Sequence, residues 1–225
     1  MPHAKLPQYE SLVAARKACT RCTTKDFLNP SAPSLSRWDS DQMGPWTRWL
    51  GDLDARVMVV GQEWGDTRAF KKQKGWDLAS SATNRRLREL LRTAGVEVPD
   101  VSEERGDSGV FLTNAALCLK RGGCQAPVRD EWFSNCGAAF LRPQIELVSP
   151  RVVVTLGERA YSAVTEAFGI PRLRFRDAVD GAPVRLPNGS VLVPVYHCGM
   201  RIRNTHRRDP QQLTDWVRVR QALEG

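Results

Sequence analysis

Apolar and polar positions follow two rhythms along this chain, and the switches between them mark out the elements. RVMVVG (56–61), VFLTNA (110–115), RVVVTLG (151–157) and VLVPVYH (191–197) are short β-branched runs with little polar interruption. That is the pattern of strands buried on both faces. Between them the period changes to that of an amphipathic helix: QYESLVAARKA (8–18), TNRRLRELLRTAG (83–95), ERAYSAVTEAFG (158–169) and a last stretch from Asp209 to Ala222. Thr83 is a candidate N-cap and Gly95 a C-terminal stop for the second of these. DEWFSNCGAAFLRPQIELV (130–148) reads as a helix broken near Pro143. Residues 26–54 are rich in Pro, Ser, Asp and Trp without a clear period, and Trp38, Trp46 and Trp49 need burial, so a packed irregular segment is expected.

Strands alternating with helices predict a mostly parallel sheet covered on both faces, a fold of the α/β class. In such sheets ligands bind where strands reach their carboxyl ends. RVMVVG runs into Gln62, Glu63, Trp64, Gly65 and Asp66, VFLT runs into Asn114, and VLVPVY runs into His197. Three strands thus bring a carboxylate, an amide and an imidazole to one edge. An Asn offers a donor and an acceptor side by side, which suits the paired polar edge of a nucleobase or another amide-like ligand. A carboxylate beside an imidazole can divide acid and base work, or stabilise a cationic centre while the imidazole receives negative charge.

A length of 225 residues suits one large domain, here taken as 1–225 with the N-terminal helix and C-x-x-C segment (about 1–55) packed on it. The composition, the lack of a long apolar stretch and the lack of an N-terminal leader set aside membrane-spanning and secreted classes, and cytoplasm is the expected location. A formal charge of +8 and a sequence pI near 9.5 are compatible with a polyanionic partner. The charge is clustered: Arg85, Arg86, Arg88 and Arg92 share one helix, read as a solvated face, while Arg201, Arg203, Arg207 and Arg208 follow His197.

Six cysteines in such a chain do not point to disulfides. Cys19 and Cys22 form a C-x-x-C pair, and Cys118 and Cys136 lie later, one just past the Asn114 strand and one in the next helix. Four sulfurs so spaced can hold zinc or an iron–sulfur cluster. Cys124 and Cys198 have no evident partner.

The ordered set CTRC, VVGQEWGD, TNAALC, Cys136, VVVTLG and YHCG, over roughly residues 15–220, resembles the uracil-DNA glycosylase superfamily, above all its family 4 branch with a [4Fe-4S] cluster. The resemblance implies a three-layer α/β/α sandwich with a short, mostly parallel central sheet, and a hydrolase that flips uracil or another deaminated base out of DNA and excises it in base-excision repair. It implies cluster ligation by Cys19, Cys22, Cys118 and Cys136, uracil recognition by Asn114, and a His197 that faces the base O2. Gln62 and Glu63 resemble the GQD opening of family 1, whose acidic residue assists water attack. Family 4 has its Glu one position earlier and a Pro where Trp64 stands. Glu63 is therefore the expected carboxylate, with Asp66 in reserve. Gln62 and Trp64 are expected at the base, with Trp76 or Phe70 as its stacking partner. Lys120, Arg121, Arg201, Arg203, Arg207 and Arg208 are expected on phosphates, with Met200 or Ile202 wedged into the vacated stack.

The second motif departs from the family pattern, with Cys198 and Gly199 in place of Pro and Ser. One branch traps uracil covalently through a histidine after the third cysteine. LKRGGCQAPVRDEW contains none, so no stable adduct is expected. The competing readings are a non-catalytic iron–sulfur DNA-binding or damage-sensing protein and a zinc-stabilised α/β enzyme acting on a small molecule. A monomer is the expected state.

Overall fold

The computed structural model describes residues 4–78, 80–101, 108–123 and 125–225, so Cys124 lies outside the described residues. In chain order the elements are helix α1 (Leu6–Ala18), strands β1 (Phe27–Leu28) and β2 (Val57–Glu63), helices α2 (Thr67–Lys72) and α3 (Ala82–Thr93), and strands β3 (Val110–Ala116) and β4 (Leu119–Lys120). Helix α4 (Asp130–Cys136) continues through a π turn (Gly137–Leu141) into α5 (Arg142–Val148). Strand β5 (Val152–Leu156), helices α6 (Glu158–Ala167) and α7 (Phe175–Asp180), strands β6 (Val184–Arg185) and β7 (Val191–Val195), and helices α8 (Met200–Thr205) and α9 (Asp209–Glu224) complete the chain.

The main sheet has the order β3-β2-β5-β7-β6; the first four strands run parallel and β6 closes one edge antiparallel to β7. Val57 stands opposite Val110 on one side and Val152 on the other. Successive residues of a strand face opposite ways, and the two cores divide accordingly. Met58, Val60, Phe111, Val153 and Leu192 pack with residues of α1, α4, α5 and α6, whereas Val57, Val59, Leu112, Val154 and Val193 pack with α3 and α9. This is the expected sandwich, with β-branched strands buried on both faces because both are roofed by helices.

Local details differ from the sequence-based expectations. Helix α3 is capped by Ser81, whose Oγ accepts from the Asn84 N–H at 3.0 Å, two residues before the expected Thr83. Gly95 does stop it, at φ +77°. The helix over 130–148 is not broken at Pro143: it widens into the π turn just before it, and Arg142 N–H donates back to Gly137. That extra residue absorbs the hydrogen bond a proline cannot make. Of the three tryptophans, Trp49 is fully buried, while Trp38 and Trp46 are half-buried. Strands β1 and β4, too short to carry a period, pair antiparallel with Phe27 opposite Lys120. Phe27 also stacks on Trp132 of α4 at 3.8 Å, fastening the segment after the C-x-x-C pair to the helix that carries Cys136.

Candidate active site

The carboxyl edge of the parallel sheet gathers the residues that strand ends single out. Gly61 of β2 is in register with Asn114 of β3, and Glu63 with Ala116. Glycine at position 61 leaves room for the amide: a Cβ there would lie 2.4 Å from Asn114 Oδ1 and 3.3 Å from the Trp46 ring. The Asn114 amide therefore lies across the bare backbone of the neighbouring strand, walled by Trp46. Its Oδ1 is buried and has no hydrogen-bond partner among the described residues. Trp46 comes from a short 3₁₀ turn, Trp46–Arg48, and nothing in its own sequence pattern marked it as a neighbour of Asn114.

His197 follows β7, and its ring is fixed from its own loop. Gly199 N–H donates to Nδ1 at 3.0 Å, so Nδ1 carries no proton and the neutral ring bears its proton on Nε2. Burial holds the imidazole below its ordinary value, while the charge of Glu63 pulls the other way, which brings Glu63 and His197 into one electrostatic unit. The His197 backbone carbonyl accepts from Gln212 Nε2 of α9 at 3.3 Å. A Cβ at position 199 would stand 2.9 Å from Nδ1, so a side chain there would have to displace the imidazole. Cys198 points into the core, its Sγ 3.6 Å from the Thr83 carbonyl, and burial pushes its thiol up to about 12.

Glu63 is held by Lys120, whose Nζ lies 2.6 Å from Oε1, with side-chain exposures of 10% and 4% respectively. Glu63 Oε2 is buried without a partner among the described residues. Lys120 thus does not sit among surface phosphate contacts as expected, because β1–β4 pairing turns it inward onto the carboxylate. Asp66 is the N-cap of α2: its Oδ1 accepts from Ala69 N–H at 2.7 Å. Gln62 and Trp64 are half-buried beside these groups in sequence. Phe70 is only 1% exposed, packed with Leu35 and Leu119 and met edge-on by Trp64, so it offers no open face. Trp76 is half-buried with the Arg48 guanidinium over its ring at 3.5 Å.

The basic stretch divides by environment. Met200 is 60% exposed at the start of α8; Arg121, Arg201 and Arg208 are exposed, and Ile202 is half-buried. Arg203 pairs with Asp209, and Arg207 is drawn inward to Asp215 at 2.6 Å and Asp180 at 3.0 Å. Their carboxylate partners, distant in sequence pattern, overturn the expectation of a uniform phosphate-binding row. Within α3, Arg86 is not solvated as expected but buried, paired with Glu89 and with Asp209.

A second constellation lies on the α1–α4 side of the sheet. Cys19, Cys22, Cys118 and Cys136 line one cavity, with Arg16, Arg21 and Asn135 on its wall. None is in a disulfide. Asn135 Nδ2 donates to Cys22 Sγ at 3.3 Å, and Asn29 Nδ2 binds the Arg16 and Cys19 carbonyls that shape the C-x-x-C turn. Burial first, and then the neighbouring thiols, push Cys118 upward, whereas burial pushes Cys136 up to about 12. Four thiols lining one buried cavity with an amide donor suit a metal centre that takes thiolates. Among the described residues, no three His, Cys, Asp or Glu are drawn together as a single ion requires.

Residues 49–219 match the profile of the uracil DNA glycosylase superfamily. The chain is 30% identical over 235 residues to a type-5 uracil-DNA glycosylase of Pyrobaculum aerophilum, an alignment covering 99% of this chain and 96% of the relative. It is 28% identical over 154 residues to a type-4 uracil-DNA glycosylase of Thermotoga maritima, covering 68% and 70% of the two chains. With the matched span running through Glu63, Asn114 and His197 and filling most of the sheet that carries them, this chain belongs to the uracil DNA glycosylase superfamily.

Proposed function

We propose that the protein is a monofunctional DNA glycosylase that extrudes uracil from DNA and hydrolyses its N-glycosidic bond. The observation that carries this reading is the pair of buried acceptors without a partner among the described residues, Asn114 Oδ1 and Glu63 Oε2, on adjacent strands beside a histidine tied through Nδ1. A buried acceptor left unmade costs about 1–3 kcal/mol, which a bound ligand returns.

The chemistry follows from these atoms. Asn114 Oδ1 accepts the N3–H of uracil while its amide nitrogen donates to O4, a pairing that cytosine reverses. As the bond to the sugar breaks, negative charge grows on O2 and the sugar becomes oxocarbenium-like. His197 donates its Nε2–H to O2 as a neutral imidazole, and Glu63 Oε2 faces the cation and orients the attacking water. Asp66, occupied as a helix cap, takes the supporting role of fixing α2 after the first motif. Gln62, Trp64 and Trp76 shape the walls. Extrusion costs a few kcal/mol, about what one exposed wedge and a handful of phosphate contacts can return. Met200 is the wedge in this reading, with Arg121, Arg201 and Arg208 on the phosphates.

The four cysteines are assigned to a [4Fe-4S] cluster. Their shared cavity, in which no three converge as a single ion would need among the described residues, supports a cluster over zinc, since a cluster would take the four thiolates at separate irons. Held by these residues, the cluster would fasten the C-x-x-C segment to α4 and would supply no electrons to the hydrolysis.

The test is release of uracil from single- and double-stranded oligonucleotides, read by alkaline cleavage at the abasic site. Cleavage that is lost in His197→Ala and in Asn114→Ala, with no covalent adduct, is expected. Binding without cleavage across uracil, hypoxanthine, xanthine and hydroxymethyluracil overturns the proposal.

A further inference from the structure

Lys120 is the buried cation that the mechanism above leaves without a task. Its ammonium meets Glu63 Oε1 at 2.6 Å where both side chains are almost out of solvent. Burying such a pair is expensive, and apolar residues of similar size often serve stability as well. Its backbone is held on several sides: Phe27 stands opposite it in the β1–β4 ribbon, Asp66 bridges to it in parallel, and Arg121 N–H next door donates to the Asp26 carbonyl at 2.8 Å. A flexible lysine has been given a fixed root.

We propose that Lys120 is a positioning residue for Glu63: by gripping Oε1 it turns Oε2, which has no partner among the described residues, toward the reacting sugar. This rests on the reading of Glu63 as the working carboxylate. A point charge bound to one oxygen suits the task, whereas a forked guanidinium tends to engage both. Among the described residues, Glu63 meets Lys120 from β4 and couples to His197 from the β7 loop, with Asp66 alongside Lys120 but committed to its cap. Lys120 also stands two residues after Cys118, so the segment that carries a cluster sulfur delivers the cation.

The experiment measures single-turnover uracil release against pH in the full-length protein. The variants are Lys120→Met, Lys120→Arg, Glu63→Gln and the double substitution, each checked for folding by thermal unfolding. For Lys120→Met the acid limb of the rate profile is expected to move to higher pH, with kcat falling more than KM changes. Lys120→Arg should restore the limb and part of the rate. The neutral double variant, which leaves no unpaired buried charge, should be no slower than Glu63→Gln alone. An unmoved limb with uniform loss, or fully multiplicative losses in the double variant, overturns the proposal. Wild-type rates in Glu63→Gln would remove the assignment of Glu63, and Lys120 with it, while glycosylase activity stood. Isotope-edited infrared titration of the Glu63 carboxyl in wild type and Lys120→Met reads the same pair without turnover, so an inactive wild type still decides the matter. An identical midpoint in the two proteins sinks it.

Discussion

Asn114 Oδ1 occupies the place where a side chain on Gly61 would begin, 2.4 Å from that Cβ position. Gly61→Ala is therefore expected to push the amide off its line while leaving the strands paired. A misplacement of about 1 Å can cost roughly 10²-fold in rate. Single-turnover kinetics on uracil-containing DNA should show a loss of that order. Thermal unfolding should show a smaller change than a core truncation gives. An unchanged rate would mean that Asn114 does not read the base.

His197 is expected to be neutral at pH 7, because burial holds its pKa below the ordinary 6.5. Activity should then stay level from neutral pH upward as far as this group is concerned. The linkage has the same direction: the unfolded chain takes up the proton first, so stability is whole above about 6.5 and declines as pH falls toward the depressed value. Glu63 pulls this pKa upward, so Glu63→Gln should lower it further. Titration of the imidazole by NMR checks both directions.

Asp77 carries a stability prediction of opposite sign. Asn84 Nδ2 and Leu78 N–H bind its Oδ1, each at 2.8 Å, but Oδ2 is buried without a partner among the described residues, and burial raises the carboxyl from 3.8 to about 6. Here the native state holds the proton more tightly, so its stabilising share is complete below pH 3.8 and is lost as pH rises through about 6. Asp77→Asn should stabilise the protein at pH 7 by about 1–3 kcal/mol, or a few degrees in Tm, and the gain should vanish near pH 3.5. Scanning calorimetry at the two pH values measures the difference.

The arginines after His197 should separate into two classes. Arg208→Ala or Arg201→Ala is expected to leave stability within about 0.5 kcal/mol of wild type and to lower the salt slope of DNA binding by about 1. Arg207→Ala should do the reverse, because it strands Asp215, which is 2% exposed. Leaving one partner of a buried pair typically costs about 3–5 kcal/mol. Denaturant unfolding and salt-dependent binding on the same set of variants test the division.

Cys136→Ser should abolish visible charge-transfer absorption and bound iron and sulfide, and loosen the N-terminal segment. Limited proteolysis is expected to cut ahead of β2 in that variant before it touches the sheet. Retained zinc with no colour in the wild type would replace the cluster.

Much of this was legible in the sequence because it depends on buried strands. Continuous β-branched runs can be satisfied only inside a covered parallel sheet, and that rule alone sent Glu63, Asn114 and His197 to one edge. What escaped was set by contacts between segments distant in sequence. A lysine after Cys118 reads like any surface cation until the two-residue ribbon of β1 and β4 turns it onto Glu63. Arg207 looks equivalent to Arg208 until Asp215 is seen beneath it, and Trp46 has no periodic neighbour to announce that it lines Asn114. Likewise, Pro143 marks a helix end by its own chemistry, yet a single widened turn ahead of it lets the helix pass through.

The thiol of Cys198, sealed under helix α3 beside the histidine, has a practical meaning for the molecule. Thiolates rather than thiols react with oxidants and alkylating agents, and this one stays protonated up to about pH 12. The loop that aims the imidazole is thereby anchored by a sulfur that offers oxidants and alkylating agents little to attack.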